Sequence, residues 1–246
     1  MRLKIGLKLT ENYSINFDLP KRSKNKIKLI ILHYTGMKKE SEAIKKLCNP
    51  FSKVSSHYYI KKNGELLNLV PDLYEAWHAG KSSWKNLKSL NKYSIGIEIT
   101  NPGHEHGYRE FSLKQINSIK LLLKYLMKKY NIDKKCILGH SDISPDRKMD
   151  PGEKFPWHEL AKNKLCLWHK LDQKKLKKLR KVWLSSKKDE TKFLKNLAKI
   201  GYIKTGIKSL NKENLVKAFQ RRFRNQLVNG KIDKECFLIS NNLLIS

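Results

Sequence analysis

The chain has 246 residues and a formal net charge of +31, with 39% apolar and 9% aromatic residues. That composition supports a folded core of one to two domains and excludes a disordered polyelectrolyte. No run approaches 18 apolar residues, which excludes a membrane-spanning helix. The 53 basic residues are 45 lysines and 8 arginines. A basic balance invites an anionic partner, whether nucleic acid, a membrane surface or a cell-wall polymer. Base-reading proteins favour the arginine fork, and no arginine- and aromatic-rich stripe or helix-turn-helix pattern is present, so a nucleic-acid partner is not expected. Codon bias is an equally good source of much of the lysine.

Met1 to Leu9 alternates apolar and basic residues, with no long apolar stretch after it. A secretory signal is not expected, and the default compartment is the cytoplasm, with a periplasmic or wall-associated location as the alternative. Cys48, Cys136, Cys166 and Cys236 are far apart and read as reduced thiols, not as a disulfide framework.

In chain order, Ile27 to Leu32 is a β-rich run ending at His33. Glu42 to Leu47 is a short helix before Pro50. Ser56 to Lys61 and Glu65 to Val70 are strands joined by an Asn63-Gly64 hairpin turn. Ser94 to Thr100 is a strand closed by Asn101-Pro102-Gly103. Ser112 and Gln115 form a capping box that opens a helix running to Tyr130. Ile137 to Gly139 is one more strand. This order predicts an α/β fold, a central mostly mixed β-sheet flanked by helices.

Charge density changes near Leu171. Residues 1–170 carry 33 basic and 16 acidic residues, and residues 171–246 carry 20 and 6. Lys174 to Lys181, with Leu176, Leu179 and Trp183 at helical spacing, reads as a linker helix. Two further helical patterns follow, one with Phe193, Leu194, Leu197 and Ile200 before Gly201, the other with Leu215, Val216, Phe219 and Phe223. The division is a catalytic unit at 1–170, a linker helix at 171–189 and a small three-helix domain at 190–246.

His33 and His140 each end an apolar strand, and Asp150 follows in a loop. Two neutral imidazoles and a carboxylate form a three-ligand zinc set with a fourth position left for water. Spacing alone also fits structural histidines. Glu98 interrupts the apolar strand Ser94-Ile95-Gly96-Ile97-Glu98-Ile99. Such a carboxylate either faces solvent by strand alternation or acts as a general base whose pKa burial raises. Lys148, two residues before Asp150, is either a solvated surface group or a cation for an oxyanion.

Ordered motifs carry a resemblance. They are His33-Tyr34-Thr35, Val54-Ser55-Ser56-His57-Tyr58, Ala76-Trp77-His78-Ala79-Gly80, Ser94 to Glu98, Gly139-His140-Ser141-Asp142-Ile143, Pro145 to Gly152 and Phe155-Pro156-Trp157. Residues 27–168 resemble the type 2 N-acetylmuramoyl-L-alanine amidases, the AmpD/AmiD group related to peptidoglycan recognition proteins. The resemblance implies that His33, His140 and Asp150 bind one zinc ion per chain, that Glu98 activates water and that Lys148 stabilises the transition state. It implies hydrolysis of the amide between N-acetylmuramic acid and L-alanine in peptidoglycan or anhydro-muropeptides. Trp77, His78, Asn101 and Arg147 are candidate substrate contacts. Trp77 equally suits core packing, and Asn101 equally suits a turn. His57 reads as structural, a second metal at His104 and His106 is not expected, and Asp142 and Asp146 read as outer or solvent groups. The segments around Phe193 to Tyr202, Ala218 to Phe223 and Asn229 to Asp233 resemble a peptidoglycan-binding three-helix domain. The two-part layout resembles AmiD more than AmpD, without the lipid-bearing cysteine usual at the front of AmiD-like chains.

Overall fold

The computed structural model describes residues 7–8, 13–184, 186–202 and 211–245. Of the Met1 to Leu9 stretch only Leu7–Lys8 falls among them. The central sheet holds β1 (Leu7–Lys8), β2 (Leu29–Tyr34), β3 (Tyr58–Ile60), β4 (Leu66–Asn68), β5 (Ser94–Ile99) and β6 (Ile137–Gly139). Their spatial order is β1-β4-β3-β5-β2-β6. Only β3 and β4 pair antiparallel, across the Asn63-Gly64 turn; the other neighbours are parallel. The sheet is therefore mixed, as predicted.

Strand alternation sorts the two faces. Ile30 and Leu32 of β2 and Ile95, Ile97 and Ile99 of β5 join one core. The helix α2 (Leu113–Tyr130) covers that face with Ile116, Ile119, Leu122, Leu123 and Leu126. It starts at the capping box of Ser112 and Gln115, which satisfies two otherwise orphaned N–H groups. The helix α1 (Glu40–Cys48) packs Ala43, Ile44 and Leu47 against Tyr59, Leu67 and Leu69 near the other edge.

The remaining helices are α3 (His140–Ile143), α4 (Trp157–Lys162), α5 (Gln173–Leu179), α6 (Lys187–Ile200), α7 (Lys212–Phe223) and α8 (Lys234–Leu243). The linker helix is shorter than its spacing predicts. It stops at Leu179, where Arg180 turns extended and Lys181 takes a left-handed φ of 62°. Arg180 is held there by Glu235, at 2.7 and 2.8 Å. Trp183 instead forms a β-bridge with Asp233. Phe193, Leu197, Val216 and Phe219 share one core with Leu29, Ile31 and Leu138 of the sheet. The core thus runs across the composition step at Leu171. Among the described residues no helix is long and apolar enough to cross a membrane.

Candidate metal centre and catalytic cleft

Three neighbouring parallel strands deliver the site. In the β2–β5 ladder His33 lies opposite Glu98, and in the β2–β6 ladder Leu32 lies opposite Gly139. His33, Glu98 and His140 therefore leave the carboxyl ends of adjacent strands, where open α/β sheets form crevices. Asp150 joins them because its backbone carbonyl accepts from Ser141 N at 2.9 Å. The atoms converge closely. His33 Nδ1 lies 2.9 Å from His140 Nδ1, and Asp150 Oδ2 lies 3.0 Å from both. All three residues are buried.

The far sides of the rings assign the tautomers. His140 Nε2 is 3.2 Å from the carbonyl oxygen of Ala79, which can only accept. His140 Nε2–H is therefore the donor, and a neutral ring turns the Nδ1 lone pair inward. The chain behind His33 is longer. The Ser94 hydroxyl donates to Leu90 O at 2.6 Å. Its single proton is spent, so it accepts from His78 Nε2–H at 3.1 Å. His78 Nδ1 then accepts from His33 Nε2–H, also at 3.1 Å. His33 Nδ1 is left as a lone pair. Burial, with His140 as the next cause, lowers the His33 pKa to about 4, and burial holds His78 well below the usual histidine range.

Lone pairs at these separations repel one another unless a cation sits among them. Two imidazole nitrogens and one carboxylate oxygen, each oriented by an outer hydrogen bond or backbone tie, suit zinc. The residues present fit that ion.

Glu98 lies beside this cluster. Its face of β5 carries Ser94 and Gly96, while Ile95, Ile97 and Ile99 point into the core. Its Oε2 is buried without a hydrogen-bond partner. Burial pushes its pKa well above the usual value, Asp150 adds to the rise, and Lys148 and Lys46 oppose it. The result is a carboxyl group poised to exchange a proton.

A cleft of about 300 Å³ opens over these groups. His33, Trp77, His78, Glu98, His140, Arg147, Lys148 and Asp150 all line it, together with Lys46, His104 and Glu105. Trp77 is half-buried and donates its indole N–H to Asp18 at 3.0 Å. His78 presents its ring to the cleft, but both its nitrogens are engaged inside the protein. Arg147 is exposed at the rim and donates to Lys81 O at 2.6 Å. Asn101 is not brought to the cleft wall. Its amide donates to Arg109 O and accepts from Gly103 N, which shapes the loop after β5. His57 is buried, and its Nδ1 accepts from Gly96 N. His104 bonds Tyr34 and Glu153. Asp142 is almost wholly buried.

Sequence reasoning missed Lys46 and Ser94. Nothing separates Lys46 from 44 other lysines except its place one residue before the buried Leu47. Ser94, a hydroxyl opening an apolar strand, was the better signal for an inward polar contact.

The profile described as N-acetylmuramoyl-L-alanine amidase matches residues 23–153. The chain is 32% identical over 237 residues to the N-acetylmuramoyl-L-alanine amidase AmiD of Escherichia coli K12, covering 89% of this chain and 83% of that protein. It is 39% identical over 106 residues to the 1,6-anhydro-N-acetylmuramyl-L-alanine amidase AmpD of Haemophilus influenzae, covering 43% of this chain and 55% of that one. The fold is similar to Escherichia coli AmiD bound to anhydro-N-acetylmuramic acid-L-Ala-D-γ-Glu-L-Lys, with a TM-score of 0.78 at 30% identity over 93% of this chain and 92% of that one. It is equally similar to AmpDh3 of Pseudomonas aeruginosa, with a TM-score of 0.78 at 28% identity over 96% and 98%.

Proposed function

The chain belongs to the N-acetylmuramoyl-L-alanine amidase family, and from that premise we propose that it is a zinc-dependent hydrolase of the amide joining N-acetylmuramic acid to L-alanine in peptidoglycan fragments. The observation that carries the zinc dependence is the meeting of three inward lone pairs within 3.0 Å beside a carboxyl group whose Oε2 is buried and unpartnered. An AmpD relative named for an anhydro-muramyl substrate, and the AmiD and AmpDh3 structures solved with anhydro-muropeptides, support muropeptides as the substrate class.

His33, His140 and Asp150 would hold the ion. Bound zinc supplies Lewis-acid polarisation of a carbonyl and acidifies water. Glu98, on the cleft floor, takes the proton from the attacking water. Its raised pKa lets it keep that proton until the carbon–nitrogen bond breaks, then return it to the leaving α-amino nitrogen of L-alanine. The Lys148 ammonium donates to the oxyanion that develops on the lactyl carbonyl oxygen. Trp77 and Arg147 border the cleft where the sugar and stem peptide lie, Arg147 with a charge suited to a peptide carboxylate. His78 orients His33 rather than meeting substrate through its nitrogens.

Two substitutions test this assignment. Glu98→Ala should remove muropeptide hydrolysis while elemental analysis still finds zinc. His33→Ala should lose the metal as well. Wild-type turnover in the first variant, or an undiminished zinc content in the second, would overturn the roles given to these residues.

A further inference from the structure

The C-terminal helices reach the metal centre through one buried carboxylate. Asp142 lies two residues after His140 in the single turn of α3. Its Oδ2 accepts from Gly139 N at 2.8 Å and from Arg222 Nη1 at 2.6 Å. Its Oδ1 accepts from the Tyr202 hydroxyl at 2.6 Å. Two of these three donors come from beyond residue 200. The Arg222 and Asp142 side chains are 3% and 1% exposed.

Arg222 makes a second tie to the same segment. Its Nη2 donates to Ile137 O at 2.9 Å, and its guanidinium lies 4.4 Å above the Trp157 ring. One side chain on α7 thus grips both ends of the stretch from Ile137 to Asp142, which contains the exit of β6 and His140. Asp150 depends on that stretch too, through Ser141 N. A four-residue helix makes one intrahelical turn and cannot hold its own orientation. Its direction comes from its contacts.

We propose that Tyr202 and Arg222 are positioning residues of the metal centre, which aim His140 and Asp150 by clamping Asp142. On this view the C-terminal helices complete the site, whatever else they bind. The proposal rests on the zinc reading above. A buried carboxylate with two charge-assisted or short hydroxyl bonds resists rotation, because any other orientation leaves a desolvated charge unpaired. Outer-shell partners of metal ligands are commonly worth 10- to 100-fold in metal affinity.

The test uses the full chain loaded with zinc. Zinc affinity is read by competition with a chromogenic chelator, and thermal unfolding is followed in parallel. Tyr202→Phe removes one hydroxyl and should weaken zinc binding by about 10-fold. Arg222→Met should weaken it further, and Arg222→Lys should recover only part, since an ammonium cannot span Asp142 and Ile137 O together. Phe193→Leu is the control. It thins the same helical core at a residue that makes none of the hydrogen bonds to Asp142 and should lower the unfolding midpoint while zinc affinity stays at the wild-type level. Wild-type affinity in both Tyr202→Phe and Arg222→Met would overturn the proposal. So would a loss in Phe193→Leu equal to theirs, because general destabilisation would then account for all three. A wild-type protein that takes up no zinc at all would instead overturn the functional reading beneath it.

Discussion

Ser94 and Glu98 leave the same face of β5 four residues apart and meet opposite surroundings. The Ser94 hydroxyl is saturated by Leu90 O and His78. Glu98 Oε2 has no hydrogen-bond partner, and burial raises its pKa well above the ordinary range. The base form of Glu98 exists above that raised pKa, so activity should fall as pH drops through it. In the metal-free protein Glu98 should therefore titrate above the value of about 4.3 typical of a free glutamate, and bound zinc should draw the acid limb of kcat/KM down from that raised position. Lys148 opposes the rise. Lys148→Met should move the limb to still higher pH, besides lowering the maximum rate. A pH–rate profile of both proteins checks the sign, and an unmoved or acid-shifted limb in the variant would remove the electrostatic link between Lys148 and Glu98.

At the scale of elements, β5 shows how a strand serves a site. Its alternation puts three isoleucines into the core and Ser94, Gly96 and Glu98 on the cleft side. Gly96 is required by the neighbour above it. A Cβ there would stand 2.3 Å from His78 Cγ. Gly96→Ala should displace the His78 ring and cost ~1–3 kcal/mol as an overpacked core position. Urea unfolding measures the cost, and a chelator competition should find weaker zinc binding in the same variant. Strands β2 to β6, the Asn63-Gly64 hairpin and the α2 capping box were legible, because each rests on local periodicity and local hydrogen bonds. The end of α5 was not. Leu176, Leu179 and Trp183 keep helical spacing, but the Arg180–Glu235 ion pair joins residues 55 apart and turns the chain out of the helix.

At the scale of the whole molecule, the charge of +31 is not what makes the site. The cleft chemistry depends on a few buried groups. The excess lies on surfaces such as α5, where Lys174, Lys175, Lys177 and Lys178 are exposed. Such a surface should attach the enzyme to stem-peptide carboxylates of the cell wall through screened, non-specific attraction. Co-sedimentation with purified sacculi should be strong at low salt and fall as salt rises. Replacing the four lysines by glutamine should reduce it with soluble-substrate turnover unchanged. No sedimentation of the wild-type chain at low salt would return the lysines to codon bias.

The sequence by itself determined strands β2 to β6, the sheet class and the family resemblance, and it singled out His33, Glu98, His140, Lys148 and Asp150 as candidates. These follow from residue type, spacing and order, which are local or directly comparable properties. Tertiary structure alone decided that three of those residues meet within 3.0 Å. It alone decided that a Leu90–Ser94–His78 relay orients His33 and that Arg222 grips Asp142. The physical reason is common to all three. Each depends on which strand lies beside which and on which proton a neighbour has already used, and neither is encoded within any one stretch of chain.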